Sequence, residues 1–448
     1  MKKIILGSCL FGMLMPAPCF AQKNYPALFD KYLQAQVSIN EFSGVVLVAQ
    51  KGNIIYKKAF GYAEREWKIP NTVETKFEIG SLTKQFTATA ILQLAEEGKL
   101  SLDNKLSMYY PGYPKGDSIT LHMLLSHTSG IADYTGLPEF YSRHTLPLTK
   151  DSVIALFRDK PFTFSPGTKW SYSNSGYFLL GCIIEKVTQM PYELYLQEKI
   201  IKKIILKNTA VNRIDSILSF RAKGYSKNEK GRWKNADYFS MELPFSAGAM
   251  ISTVNDLYQW QNALLKSQVI SSSMLTKMIT PWRSSYGYGL LIDSFEHHQR
   301  ISHGGAIPGF TSWLGCFPSD DISIVVLSNN DANANAIGDA LASTLFGLTV
   351  EFPHKALEKT ININVLAHYT GKYQLGGTTN FELLEKNGKL YLKPEGGGEM
   401  ELKSESETRF FFARDPEQEI AFITGKNGII IKSYFINKGS KIEIRKLN

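Results

Sequence analysis

The distribution of apolar and polar residues near the start of the chain predicts a β-hairpin followed by a buried helix. Residues 43–49 form a nearly unbroken apolar run, a turn follows at 51–53, and residues 54–62 continue as a second strand. From Ser81 the apolar residues adopt helical spacing, and Gly98 is typical of the position just after a helix. From about residue 100 to about residue 270 the pattern is mostly helical.

Strand patterns return after about residue 283. Residues 286–292 and 300–303 are candidate strands, and 310–317 with 322–327 predict a hairpin across the turn at 318–321. Residues 330–346 again have helical spacing. Strands at both ends with helices between them predict one α+β unit, in which the N- and C-terminal segments build a sheet beside a helical insertion.

Two globular units are expected, because 448 residues exceed what one hydrophobic core usually supports. Short strands and turns alternate from about residue 366, with turn signals near 387, 427 and 438. We therefore predict a first unit over 22–352, a linker over 353–359 and a small antiparallel β-barrel or sandwich over 360–448.

The first 21 residues have the pattern of a secretory signal peptide. Two lysines precede an apolar run, and a small-residue cleavage pattern ends at Ala21, so the mature chain is expected to begin near Gln22. A retained membrane anchor is the alternative, but the run is short for a span and contains Pro16 and Pro18. The prediction is a periplasmic or secreted protein.

Charge and cysteine content narrow the function classes. The formal net charge is +9, but the basic residues are scattered, so nucleic-acid binding is not expected in an exported chain. A loose association with an anionic cell wall or membrane surface stays open. Cys182 and Cys316 lie in apolar segments that predict buried thiols, with a disulfide between them as the alternative.

Ser81-Leu82-Thr83-Lys84 is the first candidate for chemistry. Residues three apart lie on one face of a helix, so the Lys84 amine is expected to reach the Ser81 hydroxyl. Serine is a weak nucleophile that needs an adjacent base, and a lysine with a lowered pKa can serve as that base. The alternative is a helix-capping serine followed by a surface lysine.

Tyr172-Ser173-Asn174 lies in a loop just before an apolar helix. A phenol whose pKa is lowered by a nearby lysine can accept the serine proton and return it to a leaving group. The Asn174 amide can bind a substrate carbonyl and orient the lysine. An ordinary buried loop tyrosine with an asparagine in a turn is the alternative.

His303-Gly304-Gly305 is predicted to end a strand. Glycines on an edge strand allow a substrate backbone to approach closely. The N–H of Ala306 could pair with the N–H of Ser81 as an oxyanion hole. His303 itself could bind a substrate carboxylate or hydrogen-bond to the phenol of the preceding motif.

The three motifs in this order resemble the serine β-lactamase-like hydrolases, which include class C β-lactamases, D-Ala-D-Ala carboxypeptidases, D-aminopeptidases and related esterases. The nearest likeness is to penicillin-binding-protein-4-like proteins with an added C-terminal β domain. The resemblance implies a β-lactamase/transpeptidase-like fold with an antiparallel sheet flanked by helices and a helical subdomain. It is supported by the segments 124–130, 166–176 and 246–256, and by 404–411 in the added domain.

By this resemblance Ser81 is the nucleophile, Lys84 and Tyr172 are the acid/base pair, and Asn174 and His303 contact the substrate. The implied substrates are D-amino-acid peptides, β-lactams or small esters, with neither a metal nor an organic cofactor. His127, in the segment 124–130, is expected to be structural.

One departure from the family pattern changes the expected substrate. Strongly β-lactam-directed members carry Lys-Thr-Gly on the strand, whereas this chain has His303, and a neutral imidazole binds an anion less well than an ammonium group. Strong β-lactamase activity is therefore not expected. The alternatives are an esterase of the same fold, a non-hydrolytic module that binds penicillin or cell-wall fragments, and a function that resides in the C-terminal β domain.

Overall fold

A computed structural model describes residues 24–447, except 40, 214, 229, 230, 378, 417, 426, 427, 438 and 439. The predicted signal peptide and the turn residues at 426–427 and 438–439 lie outside the described residues, so those predictions stay untested. No helix in the described part combines the length and the apolar character that a bilayer span requires.

The central sheet joins the two ends of the first unit, and it confirms the predicted α+β class. Its strands run antiparallel in the order β10-β11-β12-β13-β1-β2. These strands are β1 (Gly44–Gln50), β2 (Asn53–Phe60), β10 (Leu291–Phe295), β11 (His298–Ile307), β12 (Phe310–Phe317) and β13 (Ile322–Ser328).

Alternation along β1 explains how the sheet is covered on both faces. Val45 and Leu47 point into one hydrophobic core, and Val46 and Val48 point into a second core on the opposite face. All four side chains are fully buried. A strand buried on both faces reads as a continuous apolar run, which is the pattern found at 43–49.

The helices of the first unit lie on the two faces of the sheet, with most of them in the first core, and α12 packs against the interior of the C-terminal barrel. The second core is covered by α1 and α11. The helices are α1 (Tyr25–Ser38), α2 (Thr83–Glu96), α3 (Leu121–Leu125), α4 (Pro138–Tyr141), α5 (Lys150–Phe157), α6 (Asn174–Thr188), α7 (Tyr192–Leu196), α8 (Phe245–Gly248), α9 (Val254–Leu265), α10 (Ser272–Met278), α11 (Ala334–Leu345) and α12 (Leu366–Tyr369).

Within the described ranges, seven short strands outside the central sheet form three small sheets, in the orders β3-β4, β5-β9-β6 and β7-β8. They are β3 (Tyr62–Glu64), β4 (Ile69–Pro70), β5 (Phe77–Glu78), β6 (Ala210–Val211), β7 (Tyr225–Lys227), β8 (Trp233–Asn235) and β9 (Met250–Ser252).

Helix α2 is the centre of the first core. Every residue from 82 to 94 is buried, as expected for a helix that is enclosed on all sides. The Phe86 ring stacks on Trp260 with centroids 4.0 Å apart, and the Trp260 indole N–H donates to Gln85 Oε1 at 2.9 Å. Lys84, the candidate general base, therefore lies on a helix that is packed on all sides.

The C-terminal strands close into an antiparallel barrel, which decides between the two predicted architectures. Pairing of β14 with β21, for example Tyr373 with Lys446, closes the ring. Its interior is a third, separate core. The strands are β14 (Gly371–Leu375), β15 (Thr379–Lys386), β16 (Lys389–Pro394), β17 (Met400–Ser406), β18 (Arg409–Phe412), β19 (Gln418–Thr424), β20 (Ile430–Asn437) and β21 (Ser440–Lys446).

Two strand boundaries differ from the sequence prediction. The strand expected over 286–292 begins only at Leu291, because residues 286–290 form isolated bridges and a turn. Strand β11 does not end at His303 but continues to Ile307. The thiols Cys182 and Cys316 are both buried and both free, so the alternative of a disulfide between them is wrong.

Candidate active site

The candidate nucleophile stands where a strand edge meets a helix start. Ser81 lies in a 3-10 turn (Gly80–Leu82) that leads directly into α2. Gly80 has a positive φ of +50°, and a Cβ at this position would lie 2.8 Å from the backbone nitrogen of Ala306. Glycine is thus required on two counts, because the turn needs the left-handed region and β11 passes in contact with it.

The Lys84 amine has three polar neighbours. Its Nζ lies 3.0 Å from Ser81 Oγ, 2.8 Å from Asn174 Oδ1 and 2.8 Å from the carbonyl oxygen of Ala247. The amide and carbonyl oxygens can only accept hydrogen bonds, so they take two N–H groups of the amine. A neutral amine then directs its lone pair at the Ser81 hydroxyl, which is the geometry of a general base.

Burial makes the neutral form of Lys84 accessible near neutral pH. The side chain is fully buried, and desolvation lowers its pKa to about 7, while the Asp133 carboxylate opposes this shift. An ordinary lysine pKa lies at about 10.4. The site therefore contains a lysine that can exchange a proton at neutral pH.

Tyr172 lies on the other side of the nucleophile. Its ring centroid is 4.7 Å from Lys84 Nζ, and the Ser81 side chain lies close enough to its hydroxyl to lower the Tyr172 pKa. The sequence-based expectation was a phenol with a lowered pKa, but burial raises the pKa of Tyr172, and the Ser81 side chain offsets only part of that shift. The phenol is therefore protonated and suited to donating a proton.

A buried histidine supports the loop that carries Tyr172. His127 has a positive φ of 58°, is almost fully buried, and its Nδ1 accepts the Ser173 N–H at 3.1 Å. Its ring lies 4.4 Å from the Tyr172 ring, centroid to centroid. Burial lowers the His127 pKa well below its usual value, so the ring is neutral, which fits the predicted structural role.

Asn174 is held from both ends of its side-chain amide. The oxygen faces Lys84, while Nδ2 donates to Asp133 Oδ2 and to Thr135 Oγ1, both at 3.2 Å. The backbone N–H of Asn174 also donates to Asp133 Oδ1 at 3.0 Å. Asp133 was missed by the sequence reasoning, because a lone aspartate in a loop carries no spacing signal.

Strand β11 presents an open edge beside the nucleophile. Its partner β10 covers only residues 298–302. Antiparallel hydrogen bonds alternate between the two edges of a strand. The two-residue turn after Ile307 directs the Ile307 groups to β12, so Gly304 and Ala306 direct their N–H and C=O groups to the uncovered edge. The predicted oxyanion donor Ala306 thus lies on the edge that faces Ser81.

The His303 imidazole is hydrogen-bonded through both of its nitrogens. Its Nδ1 lies 2.5 Å from the carbonyl oxygen of Gly304, so this nitrogen carries the proton, and Nε2 accepts from the Tyr286 hydroxyl at 2.9 Å. The hydrogen-bond partner is therefore Tyr286 rather than the expected Tyr172. The side chain is 4% exposed, and desolvation lowers its pKa to about 4, so the imidazole is neutral.

Gly305 lets the strand contact the nucleophile turn. A Cβ at Gly305 would lie 2.1 Å from the carbonyl oxygen of Ile79. Among the described residues, no group of three His, Cys, Asp or Glu side chains is arranged to hold a metal ion.

The α+β fold and the serine–lysine pair define the class, which is that of penicillin-binding-protein-type hydrolases. A family model described as Beta-lactamase matches residues 29–346. Penicillin-binding protein 4* of Bacillus subtilis (strain 168) is 30% identical over 417 residues, which are 87% of this chain and 91% of that protein. The chain belongs to the beta-lactamase family.

Solved structures give the same picture. The octameric penicillin-binding protein homologue from Pyrococcus abyssi has a TM-score of 0.68 at 27% identity, and the match covers 94% of this chain and 99% of that chain. The D-stereospecific amidohydrolase from Streptomyces sp. has a TM-score of 0.63 at 27% identity, covering 72% of this chain and 99% of that chain. The first of these matches extends through the C-terminal barrel.

Proposed function

We propose that the protein hydrolyses amide or ester bonds through an acyl-enzyme on Ser81. The observation that carries this proposal is a fully buried amine 3.0 Å from the Ser81 hydroxyl, with the half-buried phenol of Tyr172 beside it. The amine has a pKa of about 7, so a large share of the molecules hold it neutral and ready to accept a proton at neutral pH.

The proposed steps conserve every proton. Lys84 takes the proton of the Ser81 hydroxyl as Oγ bonds to the substrate carbonyl carbon, and the N–H groups of Ser81 and Ala306 receive the oxyanion. Tyr172 gives its proton to the leaving group as the carbon–leaving-group bond breaks, and Lys84 returns a proton to the phenol. A water molecule then attacks the acyl group, and its proton follows the same route while Ser81 is released.

The substrate class follows from the electrostatics of the strand edge. His303 is neutral and buried, so it offers no cation to a carboxylate on the leaving-group side. We therefore propose uncharged amides or esters of D-amino acids as substrates, ahead of peptides with a free C-terminal carboxylate and ahead of β-lactams. The likeness to a D-stereospecific amidohydrolase is consistent with this choice.

A substrate panel on wild type and Ser81→Ala tests the proposal. The panel contains a D-alanine anilide, a short-chain p-nitrophenyl ester, a D-Ala-D-Ala peptide and nitrocefin. We expect turnover of the first two, an acyl adduct in the intact mass, and at least about a thousandfold loss in Ser81→Ala. The control is Ser272→Ala, which removes an exposed serine hydroxyl from the start of α10.

Two results would contradict the proposal. Undiminished turnover by Ser81→Ala would exclude Ser81 as the nucleophile. A stable adduct without turnover of any substrate would favour the non-hydrolytic binding module. Turnover of the esters alone would retain the acyl-enzyme chemistry and assign the protein to the esterases.

A further inference from the structure

Asp133 stands behind the candidate base, separated from it by one side-chain amide. Its Oδ1 accepts the Asn174 backbone N–H, and its Oδ2 accepts the Asn174 side-chain amide and the Thr135 hydroxyl, the latter at 2.7 Å. The contacts form a chain from a carboxylate through an amide to the amine of Lys84. Neither the sequence motifs nor the proposed mechanism uses this carboxylate.

This series of hydrogen bonds determines the orientation of the Asn174 side-chain amide. A carboxylate can only accept hydrogen bonds, so the Asn174 NH₂ group must face Asp133, and the amide oxygen is then turned towards Lys84. With the oxygen there, the amine donates to it and to the Ala247 carbonyl, which leaves the lone pair for Ser81. A reversed amide would present N–H groups to the amine and compete with Ser81 for that lone pair.

We propose that Asp133 is a positioning residue, an inference that rests on the proposed function. It fixes the orientation of Asn174, and it supplies the negative charge that balances the Lys84 ammonium ion during catalysis. The ammonium ion forms when the serine proton is transferred, on a side chain that is fully buried. A carboxylate one amide away stabilises that charge at the moment it appears.

The other groups that face Lys84 do not supply this charge. The rings of Tyr172 and Tyr177 lie 4.7 and 5.5 Å from Nζ, and both phenols are protonated because burial raises their pKa values. His127 and His303 are neutral, since burial lowers their pKa values. In the described part of the chain, Asp133 is the carboxylate whose charge acts on Lys84.

The test compares the pH dependence of kcat/KM for Asp133→Asn, Asp133→Glu and wild type, with an uncharged ester as substrate. Asp133→Asn removes the charge and lets the Asn174 amide reverse, so we expect a loss of roughly tenfold to a hundredfold on the alkaline plateau. Because the charge that favours the ammonium form is gone, the acid limb should move at least about 0.5 pH unit lower. Asp133→Glu keeps the charge, so its limb should stay near that of wild type even where its plateau is lower.

Glu78→Gln is the matched control, since Glu78 is a buried carboxylate three residues before Ser81 that pairs with Arg221 and Asn212 rather than with the site. The acid limb of Glu78→Gln should not move.

An unmoved limb in Asp133→Asn, with or without a lower plateau, would overturn the inference and leave the acyl-enzyme proposal intact. If wild type itself shows no Ser81-dependent turnover, the proposed function fails, and the inference fails with it. If Asp133→Asn does not fold, Asp133→Ser is measured in the same way and by the same criterion.

Discussion

The reactivity expected of Lys84 comes from its position as much as from its chemistry. Two oxygen acceptors occupy its N–H groups, and the buried surroundings hold its pKa at about 7. The same side chain on a surface would be an ammonium ion and could not accept the Ser81 proton. The helix that carries Lys84 is buried on all sides, so this desolvation is built into the fold.

At this scale we predict the pH profile of the wild-type enzyme. For a neutral ester, kcat/KM should rise through a midpoint near pH 7, because the protonated amine below that pH lacks the lone pair that takes the serine proton. Well below the midpoint the rate should change about tenfold per pH unit. Initial rates between pH 4.5 and 9 measure the profile.

His303 provides the control for this profile. Its pKa is lowered to about 4, so a limb near pH 7 should persist in His303→Asn. Lys84→Arg should abolish turnover, since a guanidinium ion does not lose its proton in this range. A wild-type rate that still rises about tenfold per pH unit up to pH 9, as an ordinary lysine pKa of about 10.4 would require, would contradict the assignment of Lys84 as a base neutralised by burial.

Single residues also show where sequence reasoning stops. Ser81 and Lys84 were found because their helical spacing is visible in the chain, and Tyr172 because it stands beside an asparagine before a helix. Asp133 was not found, since its contact with Asn174 is created only by the folded loop. The Ala247 carbonyl could not be found at all, because a backbone acceptor leaves no trace in residue identity.

At the scale of the elements, strand β11 lies in direct contact with the turn that carries Ser81, because Gly305 has no side chain. A Cβ at Gly305 would approach the Ile79 carbonyl oxygen to 2.1 Å and Ser312 Oγ to 2.4 Å. Ser312 Oγ donates to that same Ile79 oxygen at 2.8 Å, which ties β12 to the turn as well. The spacing between the oxyanion donors therefore depends on glycine at this position.

We predict that Gly305→Ala lowers kcat/KM by about a hundredfold or more, because it forces the strand away from the turn by a sizeable fraction of an ångström. The matched control is Gly398→Ala, a barrel position where a Cβ would meet no atom within 4 Å. Steady-state kinetics and circular dichroism of both variants check this. Normal activity in Gly305→Ala would mean that the strand can move without cost to the reaction.

Hairpins could be predicted where the residues of their turns favour a particular turn conformation, as in the barrel. Asn387-Gly388 adopts positive φ at both residues and joins β15 to β16, as an Asn–Gly turn should. The end of β11 was predicted too early, because glycines at 304 and 305 weaken a strand pattern and pairing with β12 overrides them. Closure of the barrel depends on pairing between the first and last strands, which local patterns do not encode.

On the scale of the whole molecule, the first unit and the barrel keep separate interiors. The third core draws on residues 361–444, and the first two cores end before the barrel begins. Ion pairs join the end of the first unit to the barrel, as between Glu351 and Arg409 or Lys441. An open cleft of about 850 Å³ lies between them, lined by residues of α1, α11 and the barrel. Such an interface resembles one between independently folding domains.

The proposed domain boundaries lead to a last prediction, made for a chain that ends after residue 352. Phe352 packs against Tyr32, so the cut preserves the second core, and every side chain of the candidate site lies before it. We expect this shortened chain to fold and to keep its kcat/KM for a small ester within about threefold of the full chain, because domains with their own cores fold as units. A chain that ends at residue 340 is the control and should not fold, since it loses Leu341 and Leu345 from the second core. If the chain ending after 352 were folded but inactive, the barrel would have to shape the site across the cleft, and the boundary at 353–359 would separate two parts of one catalytic unit.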